Sequence, residues 1–372
     1  MNNLSRKYDV AAYVWPAFTG DEPRTKIFWP EGLGEWQTVK SGPRSDEEAY
    51  RLRKPSWGYV NEADPEVMEM EIEEASSHGV NVFIYDWYWF DNRPFLENCL
   101  NDGYLKARNN DKVKFYIMWA NHNAGYTWDI RNAGIGEDVD IWKGTVDFTQ
   151  FKKISRRLIK QYFKHPSYYK IEGNPVFAIY DVGNLIDGLG GIKKTKKALD
   201  WMREECVKSG LPGLHIQLIR QHPEIPNLSG IDGKPFLVDD FFNEIQVDST
   251  THYQYAHMCR IDRDYSEVLK EVPNYYKESD NGKVPYFPHV SVGWDNNLRF
   301  SVANDNIMTN NQPEMFEKGL LLAKKYLDEH PDLPPLVTIN SWNEWTECSY
   351  LEPDYLYGYG YLDAIRKVFC NK

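Results

Sequence analysis

Hydrophobic residues along the chain fall into two alternating patterns. Short, nearly unbroken runs rich in β-branched and aromatic residues occupy positions 8–14 (YDVAAYV), 80–85 (VNVFIY), 114–119 (KFYIMW), 175–180 (PVFAIY), 214–219 (LHIQLI), 284–289 and 336–340 (LVTIN). Runs of this length bounded by turn residues predict buried strands. Longer stretches with helical spacing lie between them, at 65–78, 94–108, 148–164, 193–209, 265–277, 313–329 and 361–368. Gly79 stands just past the first of these, where the left-handed closing residue of a helix belongs. The sixth strand–helix pair is blurred, and its strand is expected at 236–241.

Strands that alternate with helices are parallel and joined by right-handed crossovers, and strands apolar on both faces form a sheet covered on both sides. Eight such units predict a (β/α)8 TIM barrel. It takes up residues 1–372 as a single domain with extended loops, including a long insertion after strand one at about 16–63. A doubly wound open sheet is the alternative, but the first strand is not followed by the GxGxxG turn of a dinucleotide-binding version. No internal repeat, low-complexity tract or linker divides the chain.

Composition narrows the function. The 42% hydrophobic and 26% charged shares exclude disorder. A net charge of −12 argues against nucleic acid, whose binders depend on clustered Lys and Arg. The cysteines (Cys99, Cys206, Cys259, Cys348, Cys370) are far apart and never form CxxC, so they read as free thiols. His252 and His257 are five apart and no HExxH is present; GxSxG and GxxxxGK[ST] are absent as well, so no metal or cofactor is predicted. No apolar run of ~18 residues occurs, which predicts no membrane span. The opening residues lack the pattern of a signal peptide, so the expected location is cytoplasmic as written, or periplasmic or cell-surface had a signal peptide preceded Met1. The aromatic share is 15%, with 13 Trp and 25 Tyr, more than packing usually requires. Flat indole and phenol faces in polar company suit sugar rings, whose C–H faces stack while their hydroxyls seek carboxylates and amides.

In such barrels the active site sits at the C-terminal ends of the strands, so the residues just beyond each apolar run are informative. Strand two ends in Asp86-Trp87-Tyr88-Trp89, strand three in Trp119-Ala120-Asn121-His122, and strand four in Tyr180-Asp181. Strand seven ends at His289 followed by Trp294, and strand eight runs into Trp342-Asn343-Glu344-Trp345-Thr346-Glu347, with Tyr350 and Glu352 close behind. Glu344 and Glu347, three apart beyond a buried strand, suit glycosidic bond cleavage, which needs one protonated and one ionised carboxyl. Flanking Trp342 and Trp345 would raise the pKa of an adjacent acid. The same segment also fits a helix-capping box, S-x-x-E, with Glu347 on the first turn. Asp86, Trp87, Tyr88, Trp119, Asn121, His122, Asp181, His289, Trp294, Trp342, Asn343, Trp345, Tyr350 and Glu352 are the expected sugar-binding residues or close supports of the pair.

The segments TINSWNEWTECSYLEPD, AAYVWPAF, VNVFIYDWYWFD and IMWANHN, taken together and in the same chain order, resemble the WbsX-like family, which shares a domain with glycoside hydrolase family 99. The resemblance covers nearly the whole chain. It implies a (β/α)8 barrel and endo-acting cleavage of α-mannosidic linkages with retention. It also implies two glutamates three apart after the last strand, here Glu344 and Glu347. The first acts as base on the substrate's own 2-hydroxyl to give a 1,2-anhydro sugar, and the second is the general acid and then base. The substrate would carry a 2-hydroxyl trans to its leaving group, as in α-mannose or α-rhamnose. Cys348 stands where the family commonly carries Gly, and residues 22–59 lie outside the resembling segments. Two other readings remain open: a glycosyltransferase of polysaccharide synthesis, which would need cations for a nucleotide diphosphate at a rim short of Lys and Arg, and a non-catalytic carbohydrate-binding barrel.

Overall fold

Eight strands, each parallel to its neighbours, make up the main sheet of the computed structural model, which describes residues 8–20, 22–41, 52–125, 128, 140–221, 224–229, 235–237, 242, 244–280, 282–300 and 305–370. They are β1 (Asp9–Val14), β2 (Val82–Phe90), β3 (Lys114–Trp119), β4 (Asn174–Ile179), β5 (His215–Arg220), β6 (Ser249–His252), β7 (His289–Ser291) and β8 (Leu336–Asn340). The sheet runs in the order β6-β5-β4-β3-β2-β1-β8-β7. Its two ends meet where Thr250 of β6 bridges Tyr286, just ahead of β7. There the Thr250 amide donates to Pro285 O, and the Phe287 amide donates to Thr250 O, each at 2.8 Å. The sheet thus closes into a (β/α)8 barrel.

The helices on the outside are α1 (Trp36–Ser41), α2 (Pro65–Ser77), α3 (Phe148–Leu158), α4 (Val182–Leu189), α5 (Ile192–Lys208), α6 (Tyr265–Ser279), α7 (Pro313–Glu329) and α8 (Gly360–Ile365). Local chemistry sets their starts. The Asp64, Asp147, Asp181 and Asp264 side chains each accept a hydrogen bond from the first turn of the adjoining helix. Gly79 closes the α2 region with φ +95°, as its position predicts.

Four expected elements come out differently. The sixth strand is not at 236–241: Pro235–Leu237 pairs antiparallel with Glu224–Ser229 in a separate hairpin, and 238–241 lie outside the described residues. The actual strand is STTH, polar by composition yet fully buried. Its hydroxyls are satisfied inside the barrel, as in the 2.8 Å hydrogen bond between Thr251 Oγ1 and Thr338 Oγ1, so it costs little to bury. The helix expected at 94–108 is replaced by a strand, Arg93–Phe95, paired back onto β2, and then by a π turn (Cys99–Gly103) and a 3-10 turn (Tyr104–Lys106). Asp91 and Asn92 take the left-handed conformation that makes this hairpin turn, with φ of 51° and 62°. The seventh strand pairs regularly only from His289, because Pro285 and Pro288 have no amide hydrogen to give. β2 runs past its expected end at 85 as far as Phe90.

Candidate active site

The extra length of β2 decides much of the site, since successive strand side chains point to opposite faces. Asp86 and Tyr88 face the mouth of the barrel, whereas Trp87 and Trp89 face away. Trp87 Nε1 donates to Glu97 Oε1 at 2.8 Å and its ring stacks on Trp89. The mouth holds a cavity of about 330 Å³ walled by Asp86, Tyr88, Met118, Ala120, His122, Tyr180, Asp181 and Gln221 on one side. Trp15, Trp128, Tyr253, Arg299, Glu344 and Glu347 complete it.

Glu344 and Glu347 come together as the sequence predicts. The Ser341 hydroxyl accepts from Glu344 N at 2.8 Å, so half of a capping box is present, but the Glu344 carboxylate is turned into the cavity instead of back to Ser341. Trp345–Glu347 forms a 3-10 turn, and Cys348 closes it at φ 49°, a left-handed position where glycine carries no steric penalty. One guanidinium joins the two acids: Arg299 donates from Nη1 to Glu347 Oε1 at 2.6 Å and from Nη2 to Glu344 Oε1 at 3.1 Å. Glu344 Oε2 accepts from the Tyr253 hydroxyl at 2.7 Å. Glu347 Oε2 is buried and has no hydrogen-bond partner. Burial, and then the nearby Glu344 charge, push the Glu347 pKa up to about 8, so it carries a proton at neutral pH.

Tyr253 OH also lies 3.0 Å from Asp86 Oδ2. A phenol has a single proton, so with Tyr253 donating to Glu344 the Asp86 contact requires a proton on Asp86. Burial, reinforced by the Glu344 charge, raises Asp86 well above the usual carboxylate range and supplies it. His122 Nδ1 is 2.8 Å from the Asn123 carbonyl, which can only accept, so Nδ1 holds the proton and Nε2 is the acceptor. Burial lowers the His122 pKa and keeps the ring neutral. Asp181 lines the cavity and also caps α4 through Asn184 N at 2.8 Å. Asn121 does not line the cavity; it clamps Asp181, donating to its carbonyl (2.6 Å) and accepting from its amide (2.7 Å).

Several expected sugar-binding residues are placed elsewhere. His289 is a core residue inside the barrel, with Nδ1 3.0 Å from Thr338 Oγ1 and Nε2 3.0 Å from Ser291 Oγ, because it lies within β7 and not beyond it. Trp119 is the outward member of its strand and packs toward Phe151, while Met118 faces in. Trp294 is half-buried against the core outside the cavity. Trp342, Asn343, Trp345, Tyr350 and Glu352 do not line the cavity; they anchor the segment that carries Glu344 and Glu347. Trp342 Nε1 donates to Glu71 Oε2 (3.0 Å), Trp345 Nε1 to Glu352 Oε2 (2.5 Å), and Tyr350 OH to Asp354 Oδ2 (2.7 Å). Asn343 ties Trp15 to the loop: its Oδ1 accepts from Trp15 N (2.8 Å) and its Nδ2 donates to Trp15 O (2.9 Å) and to Glu62. Glu62, Glu71 and Glu352 bring carboxylate oxygens within 4.8 Å of one another, the one such group among the described residues close enough to share a cation. It lies below the cavity and not in it. Burial raises all three, Glu71 to about 8.

Three further strand ends deliver aromatic residues to the cavity. Trp15 follows β1 and Tyr180 follows β4 directly. Tyr253 follows β6 and was missed with that strand. Arg299 sits on a 3-10 turn (Asn297–Arg299) in the β7–β8 loop, where no strand end marks it, and it is the one Lys or Arg among the described residues that line the cavity. Gly144 sets the β3 loop: a Cβ there would lie 2.1 Å from Asn121 O and 2.4 Å from His122 O. Gly144→Ala is therefore expected to destabilise the fold by about 2 kcal/mol and to weaken ligand binding by shifting His122. An unchanged thermal midpoint in a melting experiment would contradict this.

Fold and site together define a (β/α)8 barrel protein with a buried carboxylate pair at the mouth of its strands. The chain matches the family described as "Glycosyltransferase WbsX" over residues 10–365 and belongs to it. It is 25% identical over 352 residues to the protein WxcX of Xanthomonas campestris pv. campestris. That match covers 93% of this chain and 47% of WxcX, so the chain spans about half the length of the curated relatives it matches. Among solved structures it is similar to a glycoside hydrolase-like protein, with TM-score 0.63 and 15% identity over 99% of this chain and 96% of the other. It is also similar to the GH99 endo-alpha-mannosidase from Bacteroides thetaiotaomicron, with TM-score 0.56 and 13% identity over 97% and 95% of the two chains. At these identities the likeness concerns the fold.

Proposed function

We propose that the protein is a retaining glycoside hydrolase acting within an α-mannoside- or α-rhamnoside-like glycan, with Glu344 as base and Glu347 as acid and then base. The observation that carries this reading is the unequal surroundings of the two acids. Glu344 accepts from two donors, Arg299 and Tyr253, while Glu347 is driven to keep its proton and has one buried oxygen without a partner in the wall of the cavity. In the first step Glu344 takes the proton of the sugar 2-hydroxyl, O2 attacks C1 as the C1–O bond to the leaving group breaks, and Glu347 delivers its proton to the departing oxygen. In the second, the Glu347 carboxylate takes a proton from water, which attacks C1. The C1–O2 bond opens and O2 recovers its proton from Glu344. Two inversions at C1 give net retention.

Two features of the cavity support this over transfer from a nucleotide-linked sugar, the reading that the family's name favours. Arg299 is the one Lys or Arg among the described lining residues, and its charge is spent on the glutamates. A diphosphate would therefore meet Asp86, Asp181 and the pair without a free cation. Aromatic Trp15, Tyr88, Trp128 and Tyr180 offer faces for sugar rings. The test is incubation with α-mannans and rhamnose-containing polysaccharides, with the first-formed anomer followed by NMR. Retained configuration is expected. An inverted first product refutes the anhydro-sugar route, and transfer from a nucleotide sugar without hydrolysis refutes the hydrolase reading. Because Glu347 must be protonated, kcat/KM is expected to fall as pH rises through about 8, the value to which burial pushes it.

A further inference from the structure

Glu35 lies in the stretch after β1 that the sequence left without a role. It is fully buried just ahead of α1, and its amide donates to Ala17 O at 3.0 Å. Its two oxygens have different tasks: Oε2 accepts from Trp15 Nε1, and Oε1 accepts from Arg299 Nε at 3.3 Å. Arg299 thereby uses three different nitrogens on three carboxylates, Nε on Glu35, Nη1 on Glu347 and Nη2 on Glu344. A guanidinium is planar and rigid, so fixing its Nε edge fixes the directions of both terminal nitrogens.

We propose that Glu35 is a positioning residue for the carboxylate pair: it holds Arg299 by its Nε edge so that one fork sets the spacing of Glu344 and Glu347 and leaves Glu347 Oε2 without a hydrogen-bond partner in the cavity wall. This rests on the reading of Glu347 as the acid and adds to it a long-range charge. Glu35 opposes ionisation of Glu347, while Arg299 favours it. The other groups facing Glu347 are Glu344 on its own loop, Asp86 on β2, Tyr180 after β4 and Tyr253 after β6. Arg299 is the one cation among the described groups around Glu347, and Glu35 is, after Glu344, the second carboxylate that offsets its pull on the proton of the acid.

Glu35→Gln keeps the size and an acceptor oxygen but removes the charge. In the full chain labelled with 13C-glutamate, the Glu347 carboxyl signal, assigned by its loss in Glu347→Gln, is expected to titrate ~1 pH unit lower in Glu35→Gln. The basic limb of kcat/KM is expected to move down with it. A merely structural role for Glu35 would lower the melting temperature and leave the midpoint where it was; that result, with the fold intact, overturns the proposal. Arg299→Lys keeps a charge but loses the fork, and stands in should Glu35→Gln fail to fold. It is expected to lower kcat at least ~10-fold with little change in KM, and an unchanged kcat overturns the proposal equally. The titration is read without turnover. A wild-type protein that hydrolyses no glycan therefore refutes the hydrolase reading, while the midpoint still decides the role of Glu35.

Discussion

Glu344→Gln and Glu347→Gln are each expected to lower turnover about 10³-fold, the usual worth of a positioned acid or base, while sugar binding measured by calorimetry is expected to survive. Both side chains line the cavity, yet neither carries the packing of the core, and Gln matches Glu in size. The two losses are expected to differ in kind. In the proposed mechanism Glu347 protonates a poor leaving group, so its loss is expected to shrink with an aryl glycoside whose phenol departs unaided. In the same mechanism Glu344 acts on the substrate's own 2-hydroxyl, so its loss is expected to be the same for good and poor leaving groups. Equal loss on both substrates in both variants would take the division of labour away, and unchanged turnover in either would remove that residue from the chemistry. Survival of binding separates these outcomes from a protein that only binds carbohydrate.

The second large effect concerns stability. Asn343→Ala removes a side chain that satisfies four buried groups at once: the Trp15 amide, the Trp15 carbonyl and both oxygens of Glu62. Glu62 Oε2 keeps the Cys99 thiol as a partner, the other three lose theirs, and each unpaired buried group costs about 1–3 kcal/mol, giving an expected loss of about 4 kcal/mol in denaturant unfolding. The effect reaches the active site, because Trp15 lines the cavity and its indole holds Glu35. A loss below about 1 kcal/mol would show that Glu62 and Trp15 find other partners easily, and that the loop after β8 is not anchored through Asn343.

Among the described residues, no helix is long and apolar enough to cross a membrane. The acidic composition also has a local expression: Asp86, Asp181, Glu344 and Glu347 all face one cavity, where Asp86 and Glu347 hold their protons and the single cation, Arg299, is paired with the glutamates. Such a wall favours neutral, hydroxyl-rich ligands over anions.

The sequence by itself determined the barrel and the acid pair. Six of the eight strands announced themselves as continuous apolar runs, because a strand covered on both faces must be apolar throughout, the seventh was expected a few residues too early, and Glu344 and Glu347 stood out by their place after the eighth. Only the tertiary structure decided the rest, for three physical reasons. Direction was one: strand alternation sends Asp86 and Tyr88 inward but Trp87 outward, and this depends on where β2 ends, which hydrophobicity alone does not mark. Burial of polar groups was another. β6 and His289 read as loop or rim because they are polar, yet paired hydroxyls inside the barrel make Thr251 and His289 stable core residues. The third was long-range convergence: Glu35 and Arg299 are 264 positions apart and carry no local signal, and they meet the pair only because the closed barrel brings the β1 and β7 loops to the same rim.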